Sequence, residues 1–172
     1  SDHGDNVGAR GVWGKSNLYQ ESVAVPMILA GPGVPVGTCD TPVDLLDLYP
    51  TILQAMGLVP DADDDRPGRS LFDMALGEPD PDRIMFSEYH AAGSNTAAFM
   101  LRKGRWKYIH YVRHRPELFD LQDDPEELHD RAADPACATV LAQMRAELLA
   151  ICDPEAIDQL AKQDQAAMIE RF

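Results

Sequence analysis

Apolar residues in this chain fall into short runs, and their period changes near residue 80. Residues 23–30 form an almost continuous apolar run that ends on Gly31-Pro32-Gly33. That is the pattern of a buried strand closed by a turn. Pro26 removes one ladder donor, so the strand starts after it or lies near an edge. Residues 33–40 read as a loop. Residues 47–56 predict a helix in which Tyr49, Ile52, Leu53 and Met56 make one apolar stripe. Asp47 is placed to cap it, Pro50 falls in the first turn, and Gly57 stops it. Residues 70–76 predict a shorter helix stopped by Gly77. Pro79 and Pro81 then read as a linker, which puts a subdomain boundary near residues 77–82.

Beyond that point the runs shorten and become rich in aromatic and β-branched residues. Residues 83–89, 97–102 and 105–112 predict strands, with residues 117–121 as a further one. Lys103-Gly104 reads as a two-residue hairpin turn. Together these predict a small antiparallel sheet. The period then becomes helical. Three Asp-Pro pairs, Asp124-Pro125, Asp134-Pro135 and Asp153-Pro154, mark helix starts. Val140, Leu141, Met144, Leu148 and Leu149 stripe the longest helix. Ile157, Leu160, Ala161 and Met168 stripe the last one more thinly. Such a tail packs on its own domain or reaches a neighbouring subunit, and a homo-oligomer is expected. An upstream strand, the 23–30 strand and the 47–56 helix suggest part of an α/β layer. The expected division is residues 1–80 for that layer and residues 81–172 for the sheet with its helical tail.

Composition narrows the function classes. The 172 residues are 45% hydrophobic, enough for a sizeable core in one or two domains. A net charge of −14 argues against nucleic acid and anionic membrane surfaces as partners. The same acidity also serves solubility. Three scattered cysteines do not make a disulfide framework. No run of about 18 apolar residues is present, so no transmembrane helix is expected.

The candidate chemistry lies in the opening stretch, Ser1-Asp2-His3-Gly4-Asp5 through Gly14-Lys15. Asp2 and His3 are adjacent, and each can place a lone pair on a metal. Gly4 permits a sharp turn with positive φ. Gly8, Gly11 and Gly14 make a loose loop that ends on the Lys15 cation. A ligand pair, a loop and a cation suit an anionic substrate. Elsewhere, residues 61–65 carry four Asp residues but lack the glycine and terminal glutamate of a calcium loop, and read as solvated. His110 and His114 read as parts of an exposed loop, and His129 as solvated on a polar helix. His90 ends a strand and precedes Ala91-Ala92-Gly93-Ser94-Asn95, a loop able to approach a pocket, so it is a candidate substrate contact. Ser94 has no nucleophile elbow around it.

Ser-Asp-His-Gly-Asp, Gly14-Lys15, Tyr19-Gln20-Glu21-Ser22 and Val25-Pro26-Met27-Ile28 resemble the sulfatase family. The resemblance continues at Asp47-Leu48-Tyr49-Pro50-Thr51, Pro67-Gly68-Arg69-Ser70-Leu71, Trp106-Lys107-Tyr108 and Glu117-Leu118-Phe119-Asp120-Leu121. It covers the chain to about residue 130. Sulfatases belong to the alkaline phosphatase superfamily, with phosphonate monoester hydrolases as relatives. The resemblance implies the carboxy-terminal part of an alkaline-phosphatase-like α/β domain with a small antiparallel sheet subdomain and carboxy-terminal helices. It implies Asp2 and His3 as metal ligands and Lys15 as a catalytic, substrate-binding cation. The family's nucleophile is a formylglycine made in a C-x-P-x-R motif far upstream. Cys152-Asp153-Pro154-Glu155-Ala156 is the nearest match and lacks the Arg, so it reads as a helix start.

The chain therefore reads as a carboxy-terminal portion whose partner is the missing amino-terminal part. Taken alone, Asp-His-Gly reads first as a capped turn. Lys15 and the downstream motifs turn the reading to a metal site. One divalent ion is expected. Calcium is usual in the family, but many members carry Asn where this chain has His3, and imidazole suits manganese or zinc better. The expected function is hydrolysis of a small-molecule sulfate ester. The alternatives are a phosphonate or phosphate ester hydrolase using the same site, or a non-catalytic module that oligomerises or binds a partner.

Overall fold

In the computed structural model, which describes residues 1–59, 63–91 and 94–169, four strands form one antiparallel sheet in sequential order. They are β1 (Met85–Tyr89), β2 (Ala98–Lys103), β3 (Trp106–Tyr111) and β4 (Glu117–Asp120). Ala98, Phe99, Met100 and Leu101 are all buried, so β2 is covered on both faces. The pleat sends alternate side chains to opposite faces. Phe99, Leu101, Tyr108 and Leu118 join Met144 and Leu148 in one apolar cluster. Ala98, Met100, Ile109 and Phe119 join Leu18 in the other.

The first face is closed by α4 (Ala138–Ile151) and α5 (Pro154–Ile169). Both begin at Asp-Pro pairs as the sequence predicts. Asp134 accepts from the Ala136 N–H before the short 3-10 turn that leads into α4, and Asp153 accepts from the Ala156 N–H of α5. Cys152 therefore sits at a helix junction, not in a nucleophile motif. On α5 the buried side chains are Pro154 and Asp158, and Asp158 accepts from the Ala97 N–H at 2.7 Å and from Arg113 at 3.0 Å. Leu160 and Met168 of the expected stripe are exposed.

Several local expectations change. The β2–β3 turn is Gly104-Arg105, one residue later than predicted, because Lys103 pairs with Trp106. Gly104 supplies the left-handed backbone such a turn needs, at φ 55°. Asp124-Pro125 starts no helix. Asp124 instead accepts from the backbone N–H groups of Leu128 and His129 and holds a turn. His129 is thus on a turn, exposed as expected. His110 is not in a loop but on β3, half-buried with Nε2 3.6 Å from Glu155.

The strand expected over residues 23–30 does not form: Val23 ends α1 (Gln20–Val23), and residues 24–30 run on without strand pairing among the described residues. Burial still alternates along them, with Ile28 outward. The helix expected over 47–56 is α2 (Leu48–Ala55), preceded by a 3-10 turn over Leu45–Asp47. Asp44, not Asp47, caps that turn, accepting from the Leu46 N–H. Asp47 faces inward instead, because its carboxylate is claimed by Arg83 and by the Asp44 and Arg69 N–H groups. The apolar stripe of α2 is turned outward at Ile52 and Met56, and Thr51 is the buried residue. Its hydroxyl donates to the Asp47 carbonyl and accepts from the Leu71 N–H, tying α2 to α3 (Leu71–Leu76). Ser70 caps α3. Of the acidic loop, residues 61 and 62 lie outside the described residues, and Asp64 pairs with Arg66. Among the described residues no single helix is long and apolar enough to cross a membrane.

Candidate active site

The opening fifteen residues form a closed loop with both of its ends held. Gly4 N–H donates to the Ser22 carbonyl at 2.8 Å. Gly4 is required by proximity, since a Cβ there would lie 2.0 Å from the Glu21 carbonyl oxygen. It does not have the positive φ expected of it. Asn6, almost wholly buried, donates to Ser22 Oγ at 3.0 Å and to the Gly14 carbonyl, while its own N–H reaches the same carbonyl at 2.9 Å. Asp5 accepts from the Val7 and Gly14 N–H groups. The glycines therefore build a defined loop, not a loose one, and its neck returns the chain to Lys15.

This brings Lys15 near enough to Asp2 for its charge to act on that carboxyl. Asp2 Oδ2 and His3 Nε2 are 3.4 Å apart. Two ligand atoms each about 2.1 Å from one ion lie roughly 3 Å apart when adjacent in its shell, so this spacing fits a shared divalent cation. His3 Nδ1 lies 2.7 Å from the Gly4 carbonyl. A carbonyl only accepts, so Nδ1 carries a proton, and in the neutral ring the lone pair is then on Nε2. A backbone carbonyl orienting the second nitrogen is how a metal-ligating histidine is usually held. The Asp2 carboxyl is held below its ordinary value, chiefly by its own backbone N–H and then by His3, and Lys15 adds to the effect. Lys15 is exposed. Among the described residues, no group of three or more His, Cys, Asp or Glu side chains is placed to hold a metal ion. The donor pair fits a divalent ion, and it makes half a site.

His90 is not brought to this group. Its ring lies edge-on to Phe99, 5.4 Å between centroids, on the sheet face covered by α4 and α5. Its Nε2 is 3.4 Å from Glu88, and its carbonyl accepts from Gln165 of α5. The Lys15 loop is continuous with Leu18 and Tyr19, which pack on the opposite face. Of the loop after His90, residues 92 and 93 lie outside the described residues.

Sequence reasoning missed the groups that fasten the loop. Arg10 reaches from its tip to the backbone carbonyls of Glu126 and Glu127, beyond β4. Lys107 of β3 is fully buried and ion-paired to Glu127 at 2.5 Å. The signal was a lysine at an inward strand position, Lys107 between the apolar residues Trp106 and Tyr108. A charge there needs a buried partner.

Comparison with known proteins identifies the family. Residues 8–153 match the family described as N-sulphoglucosamine sulphohydrolase, C-terminal. The chain is 37% identical to choline-sulfatase of Rhizobium meliloti over 175 residues, covering 96% of this chain and 33% of that protein. It is 38% identical to arylsulfatase K of Danio rerio over 143 residues, covering 77% of this chain and 27% of that protein. Among solved structures, a 2-O GAG sulfatase superposes with a TM-score of 0.74 at 29% identity, covering 96% of this chain and 36% of that one. Phosphonate monoester hydrolase of Agrobacterium radiobacter superposes with a TM-score of 0.72 at 29% identity, covering 87% and 33%. The chain thus spans about a third of the length of the relatives it matches. With its fold and most of its length matched, the chain belongs to the sulfatase family, as a carboxy-terminal portion of the sulfatase fold.

Proposed function

We propose that the full-length protein hydrolyses a small-molecule sulfate monoester, and that this chain contributes two metal ligands and one substrate-binding cation. The observation that carries this reading is the convergence of Asp2, His3 and Lys15 at the neck of one closed loop. Asp2 is the anionic ligand and His3 the neutral one, presented through Nε2. A divalent ion held there would neutralise charge on the ester oxygens and orient the attacking group. Two ligands are too few for a tight site, so the others come from outside this chain. The Nε2 donor favours manganese or zinc over calcium on ligand chemistry.

Lys15 lies near enough for its charge to act on Asp2, and on this reading its ammonium stabilises charge on the transferring group or on the leaving oxygen. Substrate contact is assigned to Lys15 ahead of His90, whose ring occupies the other face of the sheet. No nucleophile with an activating base is present among the described residues, so the chain by itself is not expected to turn over an ester. On this reading residues 1–80 belong to the α/β catalytic layer, and residues 81–172 form the sheet-and-helix subdomain. Leu46, Ile52, Met56, Leu58 and Val59 are all exposed, as is Ile28 of the unpaired segment 24–30. That apolar surface suits the amino-terminal part of the same protein as its cover. Exposed Leu160, Met168 and Ile169 on α5 suit contact with a second subunit.

A second reading, phosphonate ester hydrolysis, is favoured by the imidazole ligand and by the likeness to the phosphonate monoester hydrolase. Turnover of matched aryl sulfate, phosphonate and phosphate esters by the full-length protein, with and without chelation, separates the two. Sulfate preferred and chelator-sensitive supports the first reading. Phosphonate preferred supports the second. Activity untouched by exhaustive chelation sinks the metal assignment in both.

A further inference from the structure

Arg10 sits at the tip of the loop whose neck delivers Lys15, and its guanidinium is spread over four partners. Nε donates to Glu21 Oε2 at 3.2 Å, Nη1 to the Glu127 carbonyl at 2.9 Å, and Nη2 to the Glu126 carbonyl at 2.5 Å. Its carbon lies 4.1 Å from the centre of the Tyr19 ring. The side chain is mostly buried, with 18% of its surface exposed. Arg10 also holds a left-handed backbone, φ 55°, and so does the Glu127 it meets, φ 52°. Such conformations are uncommon for residues other than glycine and persist where surrounding contacts determine them.

Glu127 is itself held from below. Its Oε1 is 2.5 Å from the fully buried Lys107 ammonium, and its Oε2 accepts from the Gln20 N–H at 2.8 Å. Lys107 donates to the Gln20 side chain as well, at 3.2 Å. Burial pushes the Lys107 ammonium down from its ordinary value, and Glu127 opposes that shift. Lys107 shares its sheet face with Phe119 and Ile109, against which the segment after Lys15 packs. A chain of charged contacts therefore runs from the sheet, through Glu127, to the loop tip at Arg10, while Asn6 and Asp5 close the neck at Gly14.

We propose that Arg10, seated on the Glu127–Lys107 pair, is a positioning residue that fixes Lys15 beside Asp2 and His3, so that the antiparallel sheet sets the geometry of the reaction without touching substrate. This inference rests on the assignment of Lys15 given above. A rigid fork is the group for the task, because a planar guanidinium holds its donors in fixed directions toward two carbonyls and a carboxylate, whereas a lysine ammonium is a compact charge on a flexible stem. A displacement of about 1 Å at a positioned group costs up to roughly 10²-fold in rate.

The test uses the full-length protein and four variants: Arg10→Asn, Arg10→Lys, Lys15→Ala and the double variant Arg10→Asn/Lys15→Ala. Asn tolerates the left-handed backbone and lacks the fork, so folding is retained. The expected result is a kcat for Arg10→Asn lowered about 10- to 100-fold with KM little changed. The double variant should match Lys15→Ala within about twofold, because two residues acting through one group are not additive. Arg10→Lys should not restore the rate. Amide hydrogen exchange over residues 5–15 should quicken in Arg10→Asn while the sheet strands stay protected.

Three outcomes overturn the inference. If Lys15→Ala is impaired and Arg10→Asn is within about twofold of wild type, the inference falls and the Lys15 assignment stands. A fully additive double variant shows that Arg10 acts on something other than Lys15, with the same consequence. If Lys15→Ala itself costs nothing, the site reading fails and takes the inference with it.

Discussion

Asp47 and Arg83 meet through two parallel hydrogen bonds of 2.7 Å, and the carboxylate between them has no exposed surface. The same oxygens accept from the Asp44 N–H at 3.0 Å and the Arg69 N–H at 2.7 Å. One side chain thereby joins the turn before α2, the segment leading to α3 and the approach to β1. Replacing Asp47 with Ala leaves Arg83 buried without its counter-ion and two N–H groups without acceptors. The expected cost is about 3–5 kcal/mol of stability, read as a lowered urea midpoint at neutral pH. A loss below about 1 kcal/mol would mean that the pair is a surface contact in effect.

The same pair sets an expected pH dependence. Burial pushes the Asp47 carboxyl up, but hydrogen bonds from Arg83 and from the Asp44 and Arg69 N–H groups outweigh it, and the net displacement is downward from 3.8. A carboxyl depressed in the folded state contributes stability that is fully present above its unfolded value, near 3.9, and is lost as pH falls through the folded value. Denaturation followed at stepwise lower pH should show this loss in the wild type. Asp47→Asn should be less stable at neutral pH and lose less on acidification. A parallel acid limb in the two proteins would assign the loss to other carboxylates.

Gly4 carries a prediction of a different kind. A Cβ at this position would lie 2.0 Å from a backbone oxygen, which has no flexible end to move away. Gly4→Ala should part the chain from residues 21–24 and shift Asp2 and His3 with it. The expected cost is about 1–3 kcal/mol in stability, together with weaker metal binding by the full-length protein. Thermal melting beside a metal titration checks both. An unchanged metal affinity would detach the ligand pair from this contact.

The periods in the sequence made the sheet and its two covering helices legible, because β2–β4 bury most of the apolar residues they display and α4 turns Met144 and Leu148 onto the sheet, although Leu149 of its expected stripe is exposed. The first sixty residues were less legible for one physical reason. Their apolar groups, Ile28, Ile52 and Met56 among them, face outward. A pattern that anticipates contact with residues outside this chain cannot form a paired strand or a buried stripe within it. In the candidate site, adjacency in sequence names Asp2 and His3 as a pair and the glycine-rich loop leads on to Lys15. Arg10, Asn6 and Glu127 were not legible, since their roles rest on contacts across long loops and on left-handed backbone at non-glycine residues. Asp47 was mistaken for a helix cap because a cap and a buried acceptor have the same residue type.

The half-site makes a quantitative expectation about metal. On the proposed reading Asp2 and His3 supply two donors, whereas open catalytic sites use three protein ligands or more. The isolated chain should bind manganese or zinc weakly, with no stoichiometric binding at micromolar concentration, and the full-length protein should bind tightly. Calorimetry on both, with Asp2→Ala as control, reads the difference. Stoichiometric micromolar binding by the isolated chain that disappears in Asp2→Ala would show that no further ligands are needed.

Lys15 gives the sharpest test of the site. Its side chain is exposed, so Lys15→Ala in the full-length protein should leave the melting temperature almost unchanged. In its proposed role the Lys15 point charge acts on oxygens whose charge grows during the reaction. Its loss should therefore lower kcat and kcat/KM together, with KM little altered, because the contact is made mainly in the transition state. One such electrostatic contact is worth on the order of 10²–10³-fold in rate. A variant that raised KM alone would make Lys15 a ground-state binding group. A rate within about threefold of wild type at saturating metal would return it to the solvated surface, and the convergence of Asp2, His3 and Lys15 would lose its chemical meaning.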